Sequence, residues 1–268
     1  MKRSEDIKTS FNKAFLGPDG YASLQLSNAD KGASQTSNLL PLHLHMVPDI
    51  DRDRVLRRLV DSVVRDNDHH LDTGIIGARY LLDVLTENGQ VEAAFRVATQ
   101  ETYPGWGYMV AQGATTLWER WENLSGGGMN SHNHIMLGGI DGWLYRVVAG
   151  LSCLSPGWAR FRVKPYPIGG LTFASARIHT VKGEIHAGWE RSPNACQIFA
   201  QVPVGAEAEI HIPLLWESSV LFENGILIWE KGMTKAVVPE ISFEGQAGDR
   251  LVFRIGSGFY AFTLSPVS

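Results

Sequence analysis

The sequence predicts a multidomain protein of α and β parts, with helical hairpins over residues 1–155 and an antiparallel β-sandwich over residues 156–268. Up to about residue 150, apolar side chains recur at the 3.6-residue period of a helix. Beyond Pro156 they alternate with polar ones at period two. Runs of helices followed by runs of strands argue for two packed units rather than one mixed sheet.

The helices follow in order. Ser4 to Leu16 and Gln35 to Met46 read as helical, and Pro41 inside the second must lie in its first turn or kink it. Between Asp51 and Asn67, Val55, Leu56, Leu59, Val60, Val63 and Val64 form one apolar stripe, with Arg54, Arg57, Arg58, Asp61 and Arg65 between them. After a polar linker, a helix starting near Thr73 is expected to bury Ile75, Ile76, Ala78, Leu81, Leu82 and Leu85 before Asn88-Gly89 stops it. The next carries Val91, Ala94, Phe95 and Ala98, and so short a connection implies antiparallel neighbours. A last helix, Gly139 to Leu151, buries Trp143, Val147 and Val148. In the second half, Ala208, Ile210 and Ile212 alternate with Glu209 and His211, and Leu251, Phe253 and Ile255 with Val252 and Arg254, before the turn Gly256-Ser-Gly258. No internal repeat is visible, although stacked helical hairpins close into a toroid without one.

Bulk properties narrow the function. At 268 residues and 44% hydrophobic, the chain can bury a substantial core. A net charge of −4 gives no basic excess for phosphates, so neither nucleic acid nor an anionic membrane is an expected partner. No apolar run approaches the ~20 residues of a bilayer span, and the start lacks the apolar segment of a signal peptide, so a cytoplasmic location is expected. Cys153 and Cys196 have no metal-ligand spacing and read as ordinary buried thiols.

Residues 101–134 concentrate the chemistry. Trp118, Glu119, Trp121 and Glu122 place two carboxylates and two indoles within five residues. Carboxylates move protons at a glycosidic bond, and flat rings cover the C–H face of a sugar. An aromatic cluster, Tyr103-Pro-Gly-Trp106-Gly-Tyr108, precedes them, and a glycine run with two histidines, Gly126 to His134, follows. Of Trp106, Trp118 and Trp121, about one is expected to touch ligand, because large aromatics are usually buried. On a helical turn, residues three apart have Cβ atoms about 5–6 Å apart, so Glu122 reads as a solvated rim carboxylate rather than as the acid facing Glu119. The histidine pairs 43/45 and 132/134 have no third ligand at motif distance, and neither metal nor cofactor is expected. Gly126 to Gly128 lack the lysine of a phosphate loop and read as a flexible active-site loop.

The segments His70 to Leu82, Tyr103 to Tyr108, Gly113 to Trp121, Ser131 to His134 and Trp143 to Leu151 together resemble the bacterial α-L-rhamnosidases of glycoside hydrolase family 78. Ser34 to Leu40 resembles an upstream helix of that family's catalytic domain, and Pro165 to Pro213 the start of its C-terminal β-domain. The resemblance implies an (α/α)6 barrel and inverting release of terminal L-rhamnose from glycosides. It implies Glu119 as general base and His134 as a sugar contact, and it assigns nothing to His132. The family's general acid lies in an acidic upstream motif with no equivalent between Met1 and Ser34. Too few helices are present for the twelve of such a barrel. The chain thus resembles the later helices and trailing β-domain, a partial toroid expected to need a complementary N-terminal polypeptide or a homo-oligomeric arrangement. Two competing readings are a non-catalytic carbohydrate-binding remnant and a polysaccharide lyase using Tyr108 or His134, the latter without an arginine cluster to hold a uronate.

Overall fold

The structure is a computed structural model describing residues 2–22, 35–124 and 131–267. It divides into two compact units, Met1–Asp141 and Gly142–Ser268. The Gly126 to Gly128 run and Ser34 lie outside the described residues.

The first unit is built of helices α1 (Lys2–Phe15), α2 (Gln35–His43), α3 (Asp49–Asp61), α4 (Ile75–Glu87), α5 (Val91–Ala98) and α6 (Trp106–Ala111), with a two-stranded hairpin of β1 (Leu16–Gly17) and β2 (Gly20–Tyr21) after α1. The chain leaves it through a 3₁₀ turn, Ile135–Leu137, and α7 (Gly139–Trp143). Helix α2 packs on α3 and α4, and α4 on α5, as expected of successive hairpins. Their shared core includes Leu39, Leu59, Leu81 and Leu85. Gly77 permits the close approach of α2 to α4, since a Cβ there would lie 2.5 Å from the Thr36 hydroxyl and 2.9 Å from Thr73 Cβ.

Three local expectations are corrected. Pro41 sits in the last turn of α2, not its first, and the helix ends two residues later at His43. Ile75 and Ile76 are exposed, because they form the first turn of α4, ahead of the stripe that meets its neighbours. The predicted final helix is shorter, and its last turn is a π-turn, Leu144–Val148, before the first sandwich strand.

Buried Gln35 fastens the entry to α4. Its Nε2 donates to the His70 carbonyl at 2.9 Å and its Oε1 accepts from the Asp72 amide at 2.8 Å. One side chain thereby satisfies a donor and an acceptor of the segment that places residues 72–74.

The second unit is a sandwich of two sheets. Strands β3 (Leu151–Cys153), β4 (Arg160–Val163), β8 (Glu207–Pro213), β12 (Ile241–Ala247) and β13 (Arg250–Ile255) form one, in the order β12-β13-β8-β4-β3. The other runs β11-β10-β9-β14-β7-β6-β5, from β5 (Phe173–Thr180), β6 (Gly183–Ser192), β7 (Ala195–Val202), β9 (Ser219–Glu223), β10 (Ile226–Glu230), β11 (Met233–Thr234) and β14 (Gly258–Pro266). The alternation in β13 is the predicted one: Leu251, Phe253 and Ile255 are buried and Arg254 is exposed, in register with Ile212, Ile210 and Ala208 of β8. Phe253 meets Phe262 of the opposite sheet at 5.7 Å between ring centroids. The sheets are antiparallel except where β4 runs parallel to β8. Fully buried Trp189 donates its indole N–H to the Val148 carbonyl at 2.7 Å, tying the π-turn to this unit. Cys196 is buried, which pushes its thiol up to about 11, whereas Cys153 is exposed, contrary to expectation.

His211, on β8, is mostly enclosed, and its Nε2 lies 3.7 Å from Glu209 Oε2, too far for a hydrogen bond. Burial, then the charges of Arg162, Lys164 and Arg250, depress its imidazole to about 4. The unfolded ring titrates near 6.5, so between about pH 6.5 and pH 4 the unfolded chain binds the extra proton and stability declines as pH falls. Urea unfolding of the sandwich should record that decline, and His211→Gln should flatten it. For the helical unit, Gln35→Ala should cost about 1–3 kcal/mol in thermal or urea unfolding, by stranding two backbone groups.

Candidate active site

The residues singled out between 101 and 134 converge. Segment 113–124 is not helical, which removes the helical-turn geometry expected for Glu119 and Glu122. It is held instead by residues 131–134. The Glu119 amide donates to the Ser131 carbonyl at 2.8 Å, and the His134 amide to the Leu117 carbonyl at 2.9 Å. The Thr116 hydroxyl also donates to the His132 carbonyl. Ser131 Oγ accepts from the Asn133 amide at 3.1 Å, a serine turn that bends the chain so that both of its ends face segment 116–119.

This pairing positions the carboxylate. Glu119 Oε2 accepts from the Ser131 amide at 2.9 Å, and among the described residues no ion pair with Arg120 accompanies it. Glu119 lines a cavity of about 430 Å³ with Gly74, Ile75, Arg120, Trp121, Glu122 and Leu137. His134 caps the turn Ile135–Leu137, its Nδ1 accepting from the Met136 amide at 3.3 Å. In the neutral ring that bond leaves the proton on Nε2, which is free to donate.

All three tryptophans are buried. Trp106 opens α6, donates its indole N–H to the Leu137 carbonyl at 2.8 Å, and meets Trp121 edge-on at 5.2 Å. Trp121 donates to the Thr73 carbonyl at 2.8 Å. Trp118 lies edge-on to Tyr108 at 6.5 Å and is stacked on His132, at 4.7 Å and 19° between planes. Of the three, Trp121 lines both cavities, Trp106 packs behind it, and Trp118, like His134, lines neither. A second cavity, of about 710 Å³, shares Gly74 and Trp121 with the first and is bounded by α1, α2 and residues 71–74 and 103–104. Tyr103, on its wall, has its phenol pushed up by burial and then by the charge of Glu122. His43 stacks on Tyr80 at 4.1 Å, and among the described residues no group of three or more His, Cys, Asp or Glu can hold a metal ion.

Sequence reasoning did not assign Gly74, Leu137, Thr73 or the Ser131 amide. All four act through a backbone group or the lack of a side chain, which residue types do not record.

Residues 1–148 match the family model described as the bacterial alpha-L-rhamnosidase 6 hairpin glycosidase domain, and residues 150–225 that of the bacterial alpha-L-rhamnosidase C-terminal domain. The chain belongs to the bacterial α-L-rhamnosidase family. The α-L-rhamnosidase structure from Dictyoglumus thermophilum superposes with a TM-score of 0.88 at 42% identity, over 98% of this chain and 28% of that one. The α-L-rhamnosidase of Streptomyces avermitilis is 31% identical over 264 residues, 96% of this chain and 23% of the relative. Its crystal structure, complexed with L-rhamnose, superposes with a TM-score of 0.81 at 29% identity, over 98% of this chain and 24% of that one. The chain thus spans about a quarter of the length of these rhamnosidases. It carries a portion of the six-hairpin domain together with C-terminal domain sequence.

The stack of His132 on Trp118 joins the two paired segments by their side chains, so His132→Ala should loosen them. Amide hydrogen exchange at Ser131 and His134 is expected to accelerate by about tenfold, the melting temperature to change little, and His132→Phe to restore protection. Unchanged exchange in the alanine variant would mean the stack holds nothing.

Proposed function

We propose that the helical unit supplies the general-base side of an α-L-rhamnosidase active site performing inverting hydrolysis of terminal α-L-rhamnosides. Glu119 is the base and His134 donates through Nε2 to a hydroxyl of the bound sugar. The observation that carries this reading is the placement of Glu119: one oxygen fixed by the Ser131 amide, at the wall of a cavity flanked by Trp121.

In the reaction, a water gives a proton to the Glu119 carboxylate as its oxygen bonds to the anomeric carbon. The bond from that carbon to the leaving oxygen breaks, and a carboxylic acid on the opposite face, roughly 6.5–9.5 Å away, protonates the departing oxygen. That acid belongs to the part of the catalytic domain outside this chain's match, and a polypeptide carrying that part would bring it. Glu122, on the same cavity as Glu119, takes no part as acid.

The purified chain alone should bind L-rhamnose by calorimetry and leave a chromogenic α-L-rhamnoside intact. Combined with a polypeptide carrying the remaining catalytic helices it should turn that substrate over, and Glu119→Gln should then lower kcat by about 10²–10⁴ with little change in L-rhamnose affinity. Turnover that survives Glu119→Gln removes the role given to that carboxylate.

A further inference from the structure

We propose that His70 is a positioning residue for the indole wall of the Glu119 cavity, acting through Thr102 on the pair Trp106 and Trp121. The inference rests on the rhamnoside reading above for what the cavity holds, while the placement of the rings stands apart from it. Trp121 lines the cavity and donates its N–H to the Thr73 carbonyl, and Trp106 meets it edge-on at 5.2 Å. The angle that Trp121 presents to a bound ring therefore depends on two stretches of backbone. One, residues 70–73, leads into α4, and the other, residues 100–106, leads from α5 into α6.

His70 is where these stretches meet. Its ring Nδ1 lies 2.9 Å from the Asn67 carbonyl and its Nε2 lies 2.7 Å from Thr102 Oγ1. A carbonyl only accepts, so Nδ1 carries the proton and, in the neutral ring, Nε2 accepts from the Thr102 hydroxyl. The ring is thereby held at both ends, just before Thr73 on one side and just before Trp106 on the other. Its main chain is held as well: the amide donates to the same Asn67 carbonyl at 2.8 Å, and the carbonyl accepts from Gln35 Nε2 at 2.9 Å. A second tether runs beside the first, from Gln100 Nε2 to the Asp68 carbonyl at 3.3 Å. His70 itself lines neither cavity, so its effect on a ligand passes through the indoles.

The turn that carries His70 is not one the chain adopts by local preference. Asp68 and His69 stand at φ 44° and 59°, two successive left-handed residues that are not glycine, directly after the π-turn Ser62–Asp66 that prolongs α3. Such backbone persists where the surroundings over-determine it. Here the Asn67 side chain donates to the Ser62 carbonyl at 2.8 Å, the His69 amide to the Val63 carbonyl at 2.7 Å, and the His70 ring reaches across to Thr102. Beyond Thr102 the chain has little slack. The Gln100 carbonyl accepts from the Tyr108 amide at 3.2 Å, and a Cβ on Gly107 would lie 2.6 Å from that oxygen. A displacement of Thr102 is accordingly passed to Trp106 and its neighbour instead of being absorbed.

Hydrogen exchange at the Trp121 indole N–H, followed by NMR on the full chain, reads the position of the ring, and calorimetry with L-rhamnose reads the consequence. His70→Ala should accelerate that exchange by about tenfold and weaken L-rhamnose by about fivefold, with little change in melting temperature. Thr102→Val, which keeps the shape and removes the hydroxyl, should do the same, and the double variant should do no more than either alone, because both remove one contact. His70→Gln, whose amide oxygen accepts from the same hydroxyl, should restore protection to within about threefold. If His70→Ala fails to fold, the exposed Thr102→Val change decides the question on the same two readouts. Trp121 exchange indifferent to these variants, effects that add in the double variant, or faster exchange with L-rhamnose affinity unaltered, each overturns the assignment. Exchange that responds as stated in a chain with no affinity for L-rhamnose would uphold the role of His70 and refute the sugar reading instead.

Discussion

The candidate site depends on the backbone pairing between residues 116–119 and 131–134. A carboxylate on a non-helical loop has many rotamers and little to choose among them. Here a reciprocal exchange at Glu119 and Ser131 fixes both main chain and side chain, because the carbonyl of Ser131 accepts from the Glu119 amide while its own amide donates to the Glu119 carboxylate. A net hydrogen bond of this kind contributes only about 0.5–1.5 kcal/mol to stability, more when one partner is charged. Its value lies in removing orientations: the same short segment that orients the carboxylate also delivers His134, whose ring is oriented in turn by the Met136 amide. Two candidate side chains are thereby referenced to one piece of backbone.

Behind that pairing stands a wall of indoles with little freedom. Trp106 and Trp121 each spend their N–H on a carbonyl, and their edge-to-face contact fixes the angle between them. Those carbonyls, of Leu137 and Thr73, belong to segments leading into α7 and α4, so the wall connects the loop to the hairpin stack. Gln35 completes the connection by satisfying the His70 and Asp72 backbone just before Thr73. Each aromatic side chain contributes apolar area and also spans two segments that are distant in sequence.

Much of this was legible in the sequence. Period two identified β8 and β13 and their buried residues because an antiparallel sheet with one packed face writes its geometry directly into alternation. The parallel pairing of β4 with β8 left no such trace, since alternation records which face is buried and not which way a neighbour runs. In the helices, spacing located the stripe of α4 but assigned Ile75 and Ile76 to it, because periodicity is blind to where a packing partner ends. Around the site, residue types announced Glu119 and its tryptophans. Gly74, Thr73 and Ser131 stayed silent: an absent side chain, a carbonyl and an amide have no signature in composition.

Strand β14, residues Gly258–Pro266, lies in the middle of its sheet, with β9 on one side and β7 on the other. As the chain emerges from the ribosome, strands β5 to β7 and β9 to β11 therefore exist as two separate ribbons, each with an unpaired rim of amides and carbonyls, until β14 is made. The sandwich is closed by a keystone that arrives late, and during the preceding seconds of synthesis its two open rims are available to any other extended chain in the neighbourhood.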